Sequence, residues 1–315
     1  MSLPISNRKA LYEWTLYLLV LPSLALVLLF SYFPSISAIY HSFFDWQGGN
    51  MKQFVGFANF RKAFGDSILW SSFVTISILV VANVFKMVPS IFIAVLIHRL
   101  KSDKWQYWYR VILVVPMIVP GLVTLFIWKF FFDPNIGLLN SIINTLGIKT
   151  VLVNFDQFFG WGVFYADAPI SWLGNPHLIV PALILWGFPW IGAVGVLIYL
   201  AGLQSIGQEI YEAAELDGIN SWQTFLYIEL PLIMTQVRLS LVLMIIGSLQ
   251  GFGLQLLLLG PEGGAGGAGM VPGLWMFNRA FQAGEFGYAC AIGMILFIFI
   301  LALTWINDKY VRVEK

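Results

Sequence analysis

The chain has 315 residues, 59% of them hydrophobic and 10% charged, with a formal net charge of +1 and a mean hydropathy of +0.82. Soluble proteins carry roughly 45–50% apolar residues by a similar count, so this composition excludes an ordinary soluble globule. The net charge of +1 says nothing about nucleic acid, and no basic run suggests a nucleic-acid partner.

The charges cluster and leave long uncharged stretches between them. A bilayer core about 30 Å thick needs about 20 apolar residues as helix. The gaps place six spans, near 14–40, 71–97, 108–131, 178–203, 232–258 and 286–306. The expected class is therefore an all-α integral membrane protein, with residues 1–315 forming one transmembrane domain. Arg8 and Lys9 precede the first apolar run. That run exceeds the apolar core of about 7–15 residues found in a signal peptide, so it reads as an uncleaved anchor.

Orientation follows from basic residues in short loops. "HRLKSDKWQYWYR", between the second and third spans, is the strongest such loop. It groups Arg99, Lys101, Lys104 and Arg110 with Arg8, Lys9, Lys309, Arg312 and Lys315 on the inner side. Both termini are then cytoplasmic. Lys52, Arg61, Lys62, Lys149 and Arg279 fall in the outer loops.

Within the second span, "ANVFKMVPS" holds Lys86, a deeply placed charge, with Asn83 three residues before it. A mid-span lysine costs about 2.5–3.5 kcal/mol on insertion scales, so it should face protein or water. It reads either as a contact for an anionic or hydroxyl-rich solute or as a lysine paired with polar groups at a protein interface. No Asp or Glu lies well inside any span, which argues against proton coupling. His41, His98 and His177 sit singly near span ends, where packing or hydrogen bonding is their ordinary role. No spacing suggests a metal site, and no phosphate loop of the G-x-x-x-x-G-K-[ST] type occurs.

After the fourth span the chain turns acidic. Glu209, Glu212, Glu215 and Asp217 fall within nine positions, and no Lys or Arg occurs from Thr150 to Val237. "SIGQEIYEAAEL" contains good helix formers, and Ala213 and Ala214 offer a small surface for close approach. Gly218 is free to take a positive φ in the turn that follows. Asn220 can cap a second short helix, with Gln223 in capping-box relation. Pro231 suits the first turn of the next span. In that span Ser248, Gln250 and Gln255 offer polar groups; with Asn83 and Lys86, the two glutamines are the candidate pathway residues.

"GAGGAG" at 264–269 fits G-x-G-x-x-G formally, but it follows an apolar span and not a strand, so a dinucleotide site is rejected. A hinge or close-approach loop is expected there. Cys290 lies in the last span as a small packing residue.

The acidic loop reads E-A-A, three residues, G, nine residues, I-x-L-P. Glu212, Ala213, Ala214, Gly218, Ile228, Leu230 and Pro231 fill every position. This resembles the signature loop of the membrane subunits of binding-protein-dependent ABC importers. "LQSIGQEIYEAAELDG" is similar to the sugar-permease branch, that of the maltose and glycerol-phosphate permease subunits. "FDPNIGLLN", "WLGNP" and "FGYACAIGMILF" resemble that family's outer loop and last span.

The resemblance implies a type I ABC importer permease fold in a prokaryotic inner membrane, with the loop at 204–231 as a cytoplasmic coupling helix. It implies docking of Glu212, Ala213, Ala214, Glu215, Asp217, Gly218, Ile228, Leu230 and Pro231 on an ATPase subunit, with Glu212 meeting a basic residue there. The implied partners are a second permease, usually a different chain, two copies of the ATPase, an extracytoplasmic solute-binding protein and the lipid bilayer. The chain itself would do no bond chemistry and hold no cofactor, ATP and Mg being bound by the ATPase. The imported solute would be a sugar, an oligosaccharide or a sugar derivative.

Two loops depart from the family pattern. "NFDQFFGWGVFYADAPISW" lengthens the outer loop and reads as an interfacial segment, a stacking surface or a binding-protein contact. "GPEGGAGGAG" replaces a Gly-Gly-Gly-Pro loop. Outside the family, the alternatives are a stand-alone secondary transporter or channel, and a polytopic membrane enzyme. The first leaves the acidic loop without a task, and the second lacks a catalytic cluster.

Overall fold

The computed structural model describes residues 5–310, with side chains described from residue 16 onward and at Trp14. The side chains of Arg8 and Lys9, together with Arg312 and Lys315, lie outside the described residues. In chain order, α1 (Ile5–Val27) passes through a π-turn into α2 (Phe33–His41). An antiparallel hairpin follows, β1 (Phe44–Trp46) with β2 (Lys52–Phe54), in register Asp45↔Gln53. Next come α3 (Ala58–Phe64), α4 (Ser67–His98), α5 (Asp103–Val114), α6 (Gly121–Phe131), α7 (Leu138–Thr145) and α8 (Ile148–Phe159). The chain continues through α9 (Pro176–Leu185), α10 (Ala193–Gln204), α11 (Gln208–Leu216), α12 (Ser221–Thr224) and α13 (Leu230–Leu232). It ends in α14 (Met234–Gln250), α15 (Gly253–Leu259), α16 (Pro272–Phe277) and α17 (Phe286–Tyr310). The protein is predominantly helical, and the short hairpin is the addition to the all-α expectation.

Contacts gather the chain into two compact units, Met1–Asp66 with Met276–Ile295, and Ser67–Trp275 with Leu296–Lys315. In the first, Asn59 donates to the carbonyls of Ser42 and Phe44 at 2.9 Å each, fixing the hairpin. The Tyr288 hydroxyl donates to Asp66 at 2.6 Å, and Lys62 pairs with Glu285 at 2.8 Å. Gly287 is required at its position, because a Cβ there would collide with the Phe44 carbonyl oxygen.

The second unit is built on α4 packed against α10 and α14. Its core joins Ile91, Val95, Val196, Leu200 and Leu203 to Phe225 of the acidic loop and to Ile233 just before α14. In lipid, helices associate through close packing and interhelical hydrogen bonds and not through a hydrophobic driving force. Small residues serve that here: a Cβ added at Gly195 would lie 3.7 Å from Ser90 Cβ, ordinary contact across the α4–α10 seam.

Among the described residues, Leu16–His41, Ser67–His98 and Phe286–Tyr310 are long and apolar enough to cross a bilayer unbroken. They cover the first, second and last expected spans. The other three expected spans are interrupted. The third bends by 88° between Ile118 and Gly121, where Pro116 and Pro120 remove two backbone donors. The fourth is divided into α9 and α10, with Gly187 and Pro189 in the gap. These two helices of 10 and 12 residues reach only about 15 and 18 Å at a rise of 1.5 Å per residue. The fifth stops at Gly251 and resumes as α15.

A break at membrane depth is tolerated where its backbone polar groups find partners inside the protein. Two side chains of α4, one turn apart, supply them for the fourth span. Lys86 Nζ donates to the carbonyls of Leu183 and Trp186 at 3.3 and 3.5 Å. Ser90 Oγ accepts from the Gly192 amide at 2.9 Å and donates to the Trp190 carbonyl at 3.3 Å.

Candidate functional site

The acidic loop is a folded element, set off from its flanking helices by sharp bends. The chain turns by 74° between α10 and α11, and by 66° between the Ser221–Leu232 segment and α14. Gly218 takes φ +72 in the turn after α11. The Asn220 side chain accepts from the amides of Trp222 and Gln223, and Gln223 Oε1 accepts from the Asn220 amide at 2.8 Å. The expected capping box is therefore present. What the sequence reading lacked is a π-turn at Phe225–Glu229 leading to Pro231.

The loop sorts its residues into an anchored face and an open one. Ala214, 6% exposed, belongs to the buried set. Leu230 packs against the core, and Ile228 is half-buried. Glu209, Glu212, Ala213, Glu215, Asp217 and Pro231 are exposed, as are Leu216 at 89% and Tyr227. None of the four clustered carboxylates forms an ion pair among the described residues. The two alanines thus differ from the sequence expectation of a shared open surface. Ala213 is open and Ala214 is turned inward, where its small size lets α11 lie close to the chain.

The basic end of α4 holds this loop, a set of contacts missed in the sequence. Glu229 is fully buried and takes a bidentate bond from Arg99, Nε to Oε1 at 3.0 Å and a terminal nitrogen to Oε2 at 2.6 Å. That terminal nitrogen also donates to the Ser221 carbonyl at 2.8 Å. Next to it, His98 Nε2 and the Tyr211 hydroxyl share a hydrogen bond of 3.1 Å. Burial first, and the Glu229 charge second, push the Tyr211 hydroxyl up to about 12, so it stays neutral at ordinary pH. A signal was present in the sequence: Glu229 is a lone carboxylate in "FLYIELPLI", and a buried charge needs a partner.

The candidate pathway residues divide. Asn83, Lys86 and Gln255 line one cavity of about 230 Å³ with Ser248 and Trp186. Asn83 Nδ2 donates to Ser248 Oγ at 3.0 Å, tying α4 to α14. A larger cavity of about 440 Å³ shares Asn83, Lys86 and Trp186 and adds Trp190 and Tyr199. Gln250 stands exposed at the end of α14 and does not line either one. At the far end of α9, the glycine loop is a close-approach turn: a Cβ at Gly264 would fall 2.8 Å from Ile179 Cδ1. The long aromatic loop expected on the outer side folds as α8 and the segment after it. Asp156 is buried there and accepts from the Val163 amide at 2.9 Å, while Phe158 and Trp161 remain exposed.

Residues 90–312 match the family described as "Binding-protein-dependent transport system inner membrane component". The chain belongs to that family, which places it as a membrane subunit of a transporter and not an enzyme. The match takes in Arg99 and the whole acidic loop but stops short of Asn83 and Lys86. Among curated relatives, the diacetylchitobiose uptake system permease protein NgcF of Streptomyces coelicolor is 30% identical, over 87% of this chain and 75% of that protein. The trehalose/maltose transport system permease protein MalF of Thermococcus litoralis is 29% identical, over 95% and 94%. A bacterial ABC transporter involved in import of the acidic polysaccharide alginate has the same fold, with a TM-score of 0.78 at 21% identity over 98% of this chain and 99% of that one. The fold is that of an ABC importer permease.

Proposed function

We propose that this chain is one permease subunit of an ATP-driven importer for a sugar, an oligosaccharide or a sugar derivative, working by alternating access. The observation that carries the proposal is the acidic loop, a folded, capped element whose exposed carboxylates form no ion pair among the described residues. Its open face, Glu212, Ala213, Glu215 and Asp217, docks on a cytoplasmic ATPase subunit, which binds ATP and Mg. Gly218, Ile228, Leu230 and Pro231 shape the loop from behind, with the inward-turned Ala214.

A second permease, a second copy of the ATPase and an extracytoplasmic solute-binding protein complete the assembly. The chain crosses the bilayer about six times, as one permease domain with both ends in the cytoplasm. The relatives named for diacetylchitobiose and for trehalose and maltose support the sugar class. A solved relative in complex with an alginate pentasaccharide-bound periplasmic protein supports the binding-protein partner. The polar cavity with Asn83, Lys86 and Gln255 is the candidate path, and Gln250 flanks it.

The test is uptake by the assembly purified from native membranes, placed in liposomes with its binding protein and offered radiolabelled trehalose, maltose and diacetylchitobiose. Uptake of at least one sugar that requires ATP on the ATPase side is expected. ATP-dependent complexes that move none of the three would remove the sugar assignment, and uptake without ATP would overturn the importer reading.

A further inference from the structure

The acidic loop has two arms, and both are tied to one point on α4. Tyr211 lies on α11, the arm that carries the open carboxylates, and shares its hydrogen bond with His98. Ser221 and Glu229 lie on the returning arm and are both held by Arg99. His98, the last residue of α4, and Arg99, the residue after it, therefore grip the loop on either side of the Gly218 turn. The grip is anchored by a carboxylate with 0% side-chain exposure and a guanidinium with 32%. Apolar packing continues it, since Phe92 of α4 lies against Phe225 with ring centroids 5.1 Å apart. Further along the same helix stand Lys86 and Ser90, which bind the break between α9 and α10 beside the cavity.

From this geometry we propose that His98 and Arg99 are positioning residues for coupling. They clamp the loop to α4 so that the loop and the helix move as one body, and displacement of the loop reaches the cavity through Lys86 and Ser90. The proposal rests on the assignment of the loop as the ATPase docking element. It adds that force leaves the loop through α4, by way of an ion pair 130 residues apart in sequence. Bidentate arginine–carboxylate geometry suits the task, because two parallel bonds fix orientation as well as distance.

The test uses the assembly with its ATPase and second permease in lipid nanodiscs, with spin labels on Gln208→Cys in α11, outside the docking face, and Val81→Cys in α4, in a Cys290→Ala background. Both labelled positions are exposed, and both lie in the second unit. Double electron–electron resonance is recorded without nucleotide and with ATP and vanadate, for the otherwise wild-type complex, Arg99→Gln, Tyr211→Phe and the charge exchange Arg99→Glu with Glu229→Arg. The expected distance is the same in both states for wild type. On ATP and vanadate, Arg99→Gln should shift by about one helical turn, ~5 Å, or broaden to that extent. Tyr211→Phe should shift in the same direction by less, and the exchange should return the narrow distribution.

A wild-type distance that itself shifts with nucleotide would overturn the one-body claim. So would an Arg99→Gln distance that matches wild type in both states, or one already displaced without nucleotide and unresponsive to it, which marks a static support. Should Arg99→Gln not be recovered, Tyr211→Phe carries the test, and a wild-type response there contradicts the clamp. If no ATPase is present in the wild-type preparation, the docking assignment has failed, and the clamp fails with it. That result is distinct from an ATPase-containing complex in which the variants behave as wild type.

Discussion

Replacing Arg99 with methionine keeps an unbranched side chain but leaves the Glu229 carboxylate buried without its partner. Removing one side of a buried pair costs about 3–5 kcal/mol. The Arg99 side chain is 32% exposed while that of Glu229 is fully buried. Water already reaches the guanidinium side, so the lower end, about 3 kcal/mol, is the expected cost of Arg99→Met. Glu229→Met is milder, because Arg99 can turn its charge toward water and keep its bond to Ser221; the loss of a hydrogen-bonded charged contact is worth about 1.5–3 kcal/mol.

The double methionine variant removes both charges. A buried pair replaced by apolar residues of similar size is often neutral or even stabilising, so the double variant should be more stable than Arg99→Met. Unfolding by sodium dodecyl sulfate titration in mixed micelles, followed by tryptophan fluorescence, supplies the four free energies of the cycle. If the single costs add to within about 0.5 kcal/mol of the double, the two residues are not coupled and the reasoning is refuted.

Three further outcomes follow from local geometry. Gly218→Val should cost about 1–2 kcal/mol, the penalty of a left-handed backbone for a residue with Cβ; no atom lies within 4 Å of that Cβ, so the cost is conformational. Gly218→Asn should cost less, as read by thermal melting in detergent. Lys86→Met should lower the melting temperature, because the Leu183 and Trp186 carbonyls lose their donor at about 1–3 kcal/mol per unsatisfied group; unchanged melting with altered uptake would make Lys86 a solute contact instead. Tyr211 has its hydroxyl raised from 10.0 to about 12, so folding retains a proton that the unfolded chain releases. Its stabilisation is complete below the unfolded value and is lost as pH rises toward about 12; Tyr211→Phe should lack this alkaline loss in melting measured across that window.

How far the sequence reached depends on what kind of signal each feature leaves. The long helices α4 and α17 were legible because an unbroken apolar run of helical length is itself the physical requirement for crossing lipid. The interruptions in "VPMIVPG", "LWGFPWIG" and "LQGFGLQ" were not, since proline and glycine change backbone direction without changing how apolar the window is. Within the loop, the Gly218 turn and the Asn220–Gln223 capping box were legible because both rules act over a few neighbouring residues. The Arg99–Glu229 pair was not, although both halves stand out, because only the packed fold joins residues 130 apart. The mid-span position of Lys86 shows from sequence that it needs a partner; that its partners are backbone carbonyls beside a helix break follows only once the break is seen.

On the proposed reading, the open carboxylates of α11 meet a partner's positive charge. Affinity purification of the tagged chain from gently solubilised native membranes probes that contact, comparing wild type with Glu212→Arg, with copurifying proteins identified by mass spectrometry. Wild type should bring down an ATPase and a second permease, and Glu212→Arg should keep the permease while losing the ATPase. An ATPase retained in full by Glu212→Arg, or a wild-type chain that purifies alone, would contradict the account.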